Sequence, residues 1–188
     1  PKMVEDLGLL YRSRDSHKKV ILIYKDLEKR FPESERKIIW QSYVLEAVSR
    51  AGNRKQIVAN LDLLSSMMLD ALAKDAANPL VDKKSKAVLR ESYDVAERIV
   101  RNLGLERHKE GRRLRGKARK RSFSFAANVY DAYLKVFTKG QSGGKVDYPF
   151  YVQFYQAELF LQLGLLDKAA GAFEQVAQKG ESKKSGRE

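Results

Sequence analysis

The chain has 188 residues, of which 43% are apolar, and its 37 Lys and Arg residues against 24 Asp and Glu residues give a formal net charge of +13. The apolar content is enough for a core along the whole chain and excludes a wholly disordered protein. No apolar run approaches the ~20 residues that span a bilayer. The absence of cysteine excludes disulfides, thiolate catalysis and zinc–thiolate sites, and it leaves the redox compartment open.

Apolar spacing and helix breakers predict an all-α fold of nine helices, with no segment alternating as a half-buried strand would. Asp15 or Ser16 is expected to cap the second helix, and Gly104 to end the long central helix. The glycine-rich segment 139–145 is expected to be a surface loop. The predicted helices cover 2–12, 16–30, 35–51, 53–73, 82–103, 106–120, 122–138, 148–163 and 166–179.

The helices are expected to associate in pairs. The first pair opens with Leu7-Gly8-x-x-Tyr11, continues with Val20-x-x-x-Tyr24 and closes at Pro32, which matches one repeat unit of about 34 residues. The last pair places the small residues Ala157 and Ala169 where two helix axes could approach each other. A similar spacing recurs in five triads: Val20/Tyr24/Leu27, Ile57/Leu61/Leu64, Leu89/Tyr93/Ala96, Ala126/Tyr130/Tyr133 and Ala169/Phe173/Val176.

These motifs resemble the tetratricopeptide family, most clearly at 1–34 and 148–180 and least across 70–105. The resemblance implies a right-handed α-α superhelix of about four to five degenerate helix pairs whose surface binds other proteins. The implied organisation is N-terminal helix pairs at 1–72, a degenerate repeat with a long bridging helix at 73–105, C-terminal helix pairs at 106–180 and a flexible basic tail at 181–188.

A narrower resemblance rests on Ala126-Ala127-x-x-Tyr130-x-x-Tyr133-Leu134 and on Tyr148-Pro149-Phe150-Tyr151 running into Phe154. This sequence pattern is similar to that of large envelope tetratricopeptide proteins of predatory and gliding deltaproteobacteria. The resemblance implies a periplasmic or lipoprotein scaffold in a multiprotein cell-envelope or motility complex, with the cytoplasm as the alternative. Because the chain begins at Pro1 rather than at Met, we expect an excised or processed fragment.

The segment 107–121 carries nine basic side chains against one acid, a local charge of +8. Leu114, Ala118 and Phe125 share one face at helical spacing, so the segment is expected to pack by that face and project its cations. Either it contacts a polyanion (a phosphate backbone, anionic lipid or an acidic protein segment), or it is only a soluble outer face. The candidate anion- or partner-binding residues are Arg112, Arg113, Arg115, Arg119 and Arg121.

A second cluster concentrates six aromatic residues between 148 and 160. Such a helix is typically buried between neighbours, but its first turns could also line a groove for a peptide. Tyrosine suits that role because it buries a large area and keeps a hydrogen-bonding tip. The candidate peptide-binding residues are Tyr148, Tyr151 and Tyr155.

Catalytic patterns are lacking. His17 and His108 are the only histidines, and both are expected at the surface without acid partners or metal-ligand spacing. The sequence therefore predicts a non-enzymatic interaction scaffold without cofactor or metal. Its partner would be an extended or helical protein segment of acidic character. The alternative is a nucleic-acid or anionic-membrane binder that uses residues 107–121.

Overall fold

A computed structural model describes residues 2–51, 53–78, 82–138 and 147–185, with side chains described as far as residue 180. Over these residues the chain forms eight α-helices and no β-strand, which confirms the predicted all-α class. The right-handed superhelix stays a prediction. The helices are α1 (Lys2–Ser13), α2 (His17–Arg30), α3 (Lys37–Ala51), α4 (Arg54–Ala77), α5 (Lys83–Arg113), α6 (Gly116–Val136), α7 (Tyr148–Gln162) and α8 (Leu166–Ser185).

The chain divides into two compact units, Pro1–Ile99 and Val100–Glu188, and the division falls inside α5. The domain boundaries expected at 72, 105 and 180 stay predictions. The expected glycine-rich loop at 139–145 lies outside the described residues, as do the side chains of the expected tail at 181–188.

In the first unit, successive helices from α1 to α4 pack against one another. Gly8 of α1 is buried directly against the ring of Tyr24 in α2, where a Cβ atom on Gly8 would lie 2.6 Å from Tyr24 Cζ. Val20, Tyr24 and Leu27 are each 1% exposed. The spacing of the opening motif therefore corresponds to close packing between the first two helices.

Ion pairs supplement this packing because α1 buries only Gly8. Arg12 binds Glu46 of α3 through Nε at 2.5 Å and Nη2 at 3.2 Å, and its guanidinium lies 4.7 Å from the centre of the Tyr43 ring. Arg36 binds Glu5 of α1 at 3.0 Å and Glu91 of α5 at 3.1 Å. Polar contacts thus fix a helix that has little buried apolar surface of its own.

Side-chain caps form at some helix ends and not at others. Asn53 caps α4 by accepting from the backbone amides of Lys55 and Gln56, and Asp147 caps α7 by accepting from that of Phe150. The cap predicted for α2 is wrong. Ser16 occupies the N-cap position without a side-chain hydrogen bond, and its backbone amide instead donates to the Tyr11 carbonyl at 3.0 Å.

Gly104 does not end a helix, which corrects the prediction made from sequence. α5 continues past Gly104 to Arg113. The glycines at 104 and 111 instead leave space on α5 for two aromatic rings of α6. A Cβ on Gly104 would lie 2.4 Å from the Tyr130 ring, and a Cβ on Gly111 would lie 2.4 Å from the Phe123 ring. These contacts make α5 and α6 an antiparallel pair.

The division of the basic segment also differs from expectation. Residues 107–121 do not form one helix, and no break occurs near residue 121. α5 ends at Arg113 and α6 starts at Gly116, whose φ of 55° lies in the left-handed region that favours glycine. The turn therefore lies in the middle of the basic segment.

Replacing Gly104 by alanine should destabilise the fold. The added methyl group collides with the fully buried Tyr130 ring, and overpacking of this kind costs about 1–3 kcal/mol, against a gain of about 1 kcal/mol in helix propensity. We expect the midpoint of urea unfolding, followed by circular dichroism, to fall.

Gly171→Ala is the matched control, because nothing lies within 4 Å of a Cβ built on this α8 glycine. There only the propensity gain operates, and the urea midpoint should rise. If Gly104→Ala proved as stabilising as Gly171→Ala, close packing at Gly104 would be disproved.

A basic turn and an apolar helix face as candidate functional site

The turn between α5 and α6 is densely cationic. We define the basic turn as residues 109–121, which cover the end of α5 and the start of α6. Arg107 lies just before it and pairs with Glu110 at 2.8 Å. The exposed cations of the turn are Lys109, Arg112, Arg113, Arg115, Lys117, Lys120 and Arg121, and Arg119 is half-buried.

Six of these cations have no ion-pair or hydrogen-bond partner for their side chains among the residues that the structure describes. They are Lys109, Arg113, Arg115, Lys117, Lys120 and Arg121. Charges this close repel one another, and like-charged pairs three or four residues apart in a helix cost a few tenths of a kcal/mol each. An anion bound at the turn would relieve this repulsion.

The start of α6 adds to the positive potential. Arg115 occupies the N-cap position and makes no side-chain cap hydrogen bond, and no acidic residue lies in the first turn of α6. The N-terminal end of a helix carries a partial positive charge, so Lys117, in the first turn of α6, lies where a cation is least favourable. This basic start of α6 stabilises the helix less than acidic residues in the first turn would.

Two of the five predicted arginines contact α7 instead of standing free. Arg112 pairs with Glu158 at 3.7 Å, and Arg119 donates to Gln162 at 2.6 Å while its guanidinium lies 5.0 Å from the Phe123 ring centre. The other three, Arg113, Arg115 and Arg121, are exposed. The structure thus places Arg112 and Arg119 as contacts that hold the basic turn beside α7.

His108 is 5% exposed, which corrects the expectation that it lies at the surface. Its ring centre lies 5.8 to 6.1 Å from those of Phe123, Tyr130 and Tyr155, all approached edge-on, and its Nδ1 lies 3.3 Å from the Tyr130 hydroxyl. His108 lies between Gly104 and Gly111 on α5, and the packing of these glycines against rings of α6 buries it in the same interface. No local sequence pattern shows this packing.

Burial governs the protonation of this cluster. It lowers the pKa of His108 to about 4, and the nearby Arg112 charge lowers that pKa in the same direction. Burial also raises the pKa of the Tyr130 hydroxyl. At neutral pH both groups are uncharged, as apolar surroundings require.

The three predicted tyrosines have three different environments. Tyr148 is half-buried with the Arg101 guanidinium 3.8 Å from its ring centre, and Tyr155 is half-buried against His108 and Tyr130. Only Tyr151 is exposed, at 48%. Their role in binding a peptide stays a prediction.

α7 lies beside the end of α5 and runs in the same direction. This follows from three contacts in matching order: Arg101 with Tyr148, His108 with Tyr155, and Arg112 with Glu158. The basic turn therefore lies near the C-terminal end of α7, and Tyr148 lies at the other end.

The outer face of α7 is apolar. Tyr151, Phe154 and Leu161 are 48%, 37% and 52% exposed, and we call these three residues the α7 stripe. An aromatic helix of this kind is typically buried between neighbours, but the buried residues of α7 are only Pro149, Val152, Gln153, Gln156, Ala157 and Leu159. Periodicity could not separate the two faces, because α7 is apolar on nearly every side.

Neither metal sites nor membrane-spanning helices are found in the described part of the chain. It holds no group of three or more His, Asp or Glu side chains placed to bind a metal ion. Within the same residues, no helix has the length and apolar character needed to cross a membrane.

Comparison of the chain with family models, with curated proteins and with solved structures gives no match.

Acidification should destabilise the protein through His108. Its folded-state pKa, about 4, is below the ordinary value near 6.5, so the unfolded chain takes up a proton first as the pH falls. Stability is retained above pH ~6.5 and should be lost progressively down to pH ~4, by up to about 2–3 kcal/mol. Urea unfolding measured across this pH range would show the loss.

His108→Phe is the matched variant, because a benzyl ring fills similar space and binds no proton. All other groups titrate in both proteins, including Glu28, whose raised pKa of about 7 acts in the opposite direction. The difference between the two pH profiles thus isolates His108. Parallel profiles would show that His108 is not buried as described.

Proposed function

We propose that this chain is a non-enzymatic helical-repeat interaction module that binds an acidic segment of a partner protein at the basic turn. The observation that supports this is the group of six exposed cations without partners among the described residues. Three are arginines, whose planar guanidinium groups bind carboxylates with two parallel hydrogen bonds. Such a surface lacks the counter-charge that an acidic segment would supply.

The remaining surroundings of the turn support a protein partner over single-stranded nucleic acid. Base-stacking surfaces need exposed aromatic rings among the cations, but the rings that flank the turn in sequence, His108 and Phe123, are only 5% and 1% exposed. An apolar face that could complete a protein interface is present on α7, next to the turn. A bacterial envelope complex is the setting that the narrower sequence resemblance suggests for such a partner.

Duplex nucleic acid or an anionic membrane surface is the second candidate, favoured by the same six cations and the net charge of +13. Phosphate backbones and anionic lipids need only counter-charge, without an apolar contact. The salt dependence of binding separates these ligands, because phosphate binding weakens log-linearly and steeply with salt.

Reversing the charge of the three exposed arginines Arg113, Arg115 and Arg121 should weaken binding. We expect the triple variant Arg113→Glu, Arg115→Glu, Arg121→Glu to bind labelled poly-glutamate at least about tenfold more weakly at low salt, mainly through slower association. Its dependence on salt concentration should be shallower. Stopped-flow fluorescence with a short DNA duplex and with anionic vesicles as further probes would rank the three ligand classes.

Lys18→Glu, Lys29→Glu, Lys55→Glu is the matched control, because it changes net charge equally at exposed positions of the first unit. It should retain most of the binding. An equal loss of affinity in the two triple variants would show that binding depends only on net charge, and it would rule out a site at the basic turn. Binding of the duplex alone would favour the second candidate.

A further inference from the structure

The α7 stripe is an exposed apolar row with a fixed spacing. Tyr151, Phe154 and Leu161 follow one another at three and seven residues, so they lie on one face over about 15 Å of helix. Phe154 lies beside Phe173 of α8, with 5.9 Å between ring centres. α8 thus packs beside the middle of the α7 stripe.

Positive charge lies at one end of this row. Glu158, on the same face between Phe154 and Leu161, pairs with Arg112, and Gln162 accepts from Arg119. These two contacts place the basic turn beside the Leu161 end. The combined surface has apolar contacts along its length and six cations without described partners at one end.

We infer that the occupant of this surface is an amphipathic helix of a partner protein, with apolar residues on one face and carboxylates at one end. This inference rests on the proposed function and specifies the shape of the ligand. A partner helix presents apolar side chains every three or four residues, which matches the spacing along the α7 stripe. Its carboxylates meet the basic turn, and this sets which way along α7 the helix lies.

The stripe and the turn contribute differently to binding. Apolar anchors that become buried govern dissociation, whereas exposed charges govern association and its dependence on salt. Removing one anchor should therefore weaken affinity at every salt concentration. Removing the arginines should weaken affinity chiefly at low salt.

The test selects ligands for the full chain from a displayed library of acidic amphipathic helical peptides, in parallel with a library of acidic, unstructured peptides of the same composition. Helical peptides should be enriched. A selected peptide should bind Leu161→Ser and Tyr151→Ser at least about tenfold more weakly than the unaltered chain, as truncated anchors do. Leu22→Ser is the matched control, because Leu22 is a 72% exposed leucine of the first unit, and it should leave affinity unchanged.

The outcomes separate this inference from the proposed function. Enrichment of unstructured acidic peptides would overturn the inference, and so would helical peptides that bind the two stripe variants as tightly as the unaltered chain. If the peptides selected in either case still need Arg113, Arg115 and Arg121 for binding, the proposed function stands. The absence of enriched peptides in both libraries overturns both. Concentration-dependent dimerisation of the chain that Leu161→Ser abolishes would also overturn the inference, since a second copy would then occupy the stripe.

Discussion

The packing of an aromatic ring against a helical glycine sets how closely neighbouring helices approach each other in both units. Gly8 receives Tyr24, Gly104 receives Tyr130 and Gly111 receives Phe123, in each case closer than any side chain at the glycine would allow. Because the glycine has no Cβ, the ring lies directly on the backbone of the neighbouring helix, and the two helix axes come close together. On α5 the two contacts are seven residues apart, which fixes the register between α5 and α6. That register in turn encloses His108 between the two rings.

This arrangement explains which parts of the fold sequence reasoning could reach. The triads of α2, α4 and α6 were predicted from spacing alone, and all nine residues are buried; in α8, Ala169 and Val176 are buried as well. The same reasoning failed at Gly104, because a glycine next to a ring and a glycine that ends a helix look alike in one sequence. It failed again at His108, whose burial depends on rings contributed by two other helices. Local apolar spacing identifies which face of a helix is buried, but it does not identify the residues of the other helix that pack against that face.

The candidate site shows the same limit. The density of cations at 107–121 is visible in the sequence, but the pairing of Arg112 with Glu158 and of Arg119 with Gln162 joins residues more than forty positions apart. Composition therefore identified the basic segment without distinguishing its anchored arginines from its free ones. The outer face of α7 was hidden for a different reason, since a helix apolar on almost every side gives no periodic signal. Only the neighbours of α7 decide which of its aromatic residues remain exposed.

The attachment of α1 has a consequence for how the first unit opens. This helix buries one glycine, and the ion pairs Arg12–Glu46 and Arg36–Glu5, both on partly exposed side chains, are prominent among its polar contacts. The Tyr24 hydroxyl also donates to the Glu5 carbonyl, and the Arg12 guanidinium lies against the Tyr43 ring. Ions in solution screen such pairs, whereas the apolar core of α2 to α4 is insensitive to them. In concentrated salt, α1 should thus detach as a separate segment well before the core unfolds. Its amide protons would then exchange fastest in the first unit, and proteases would cut there first.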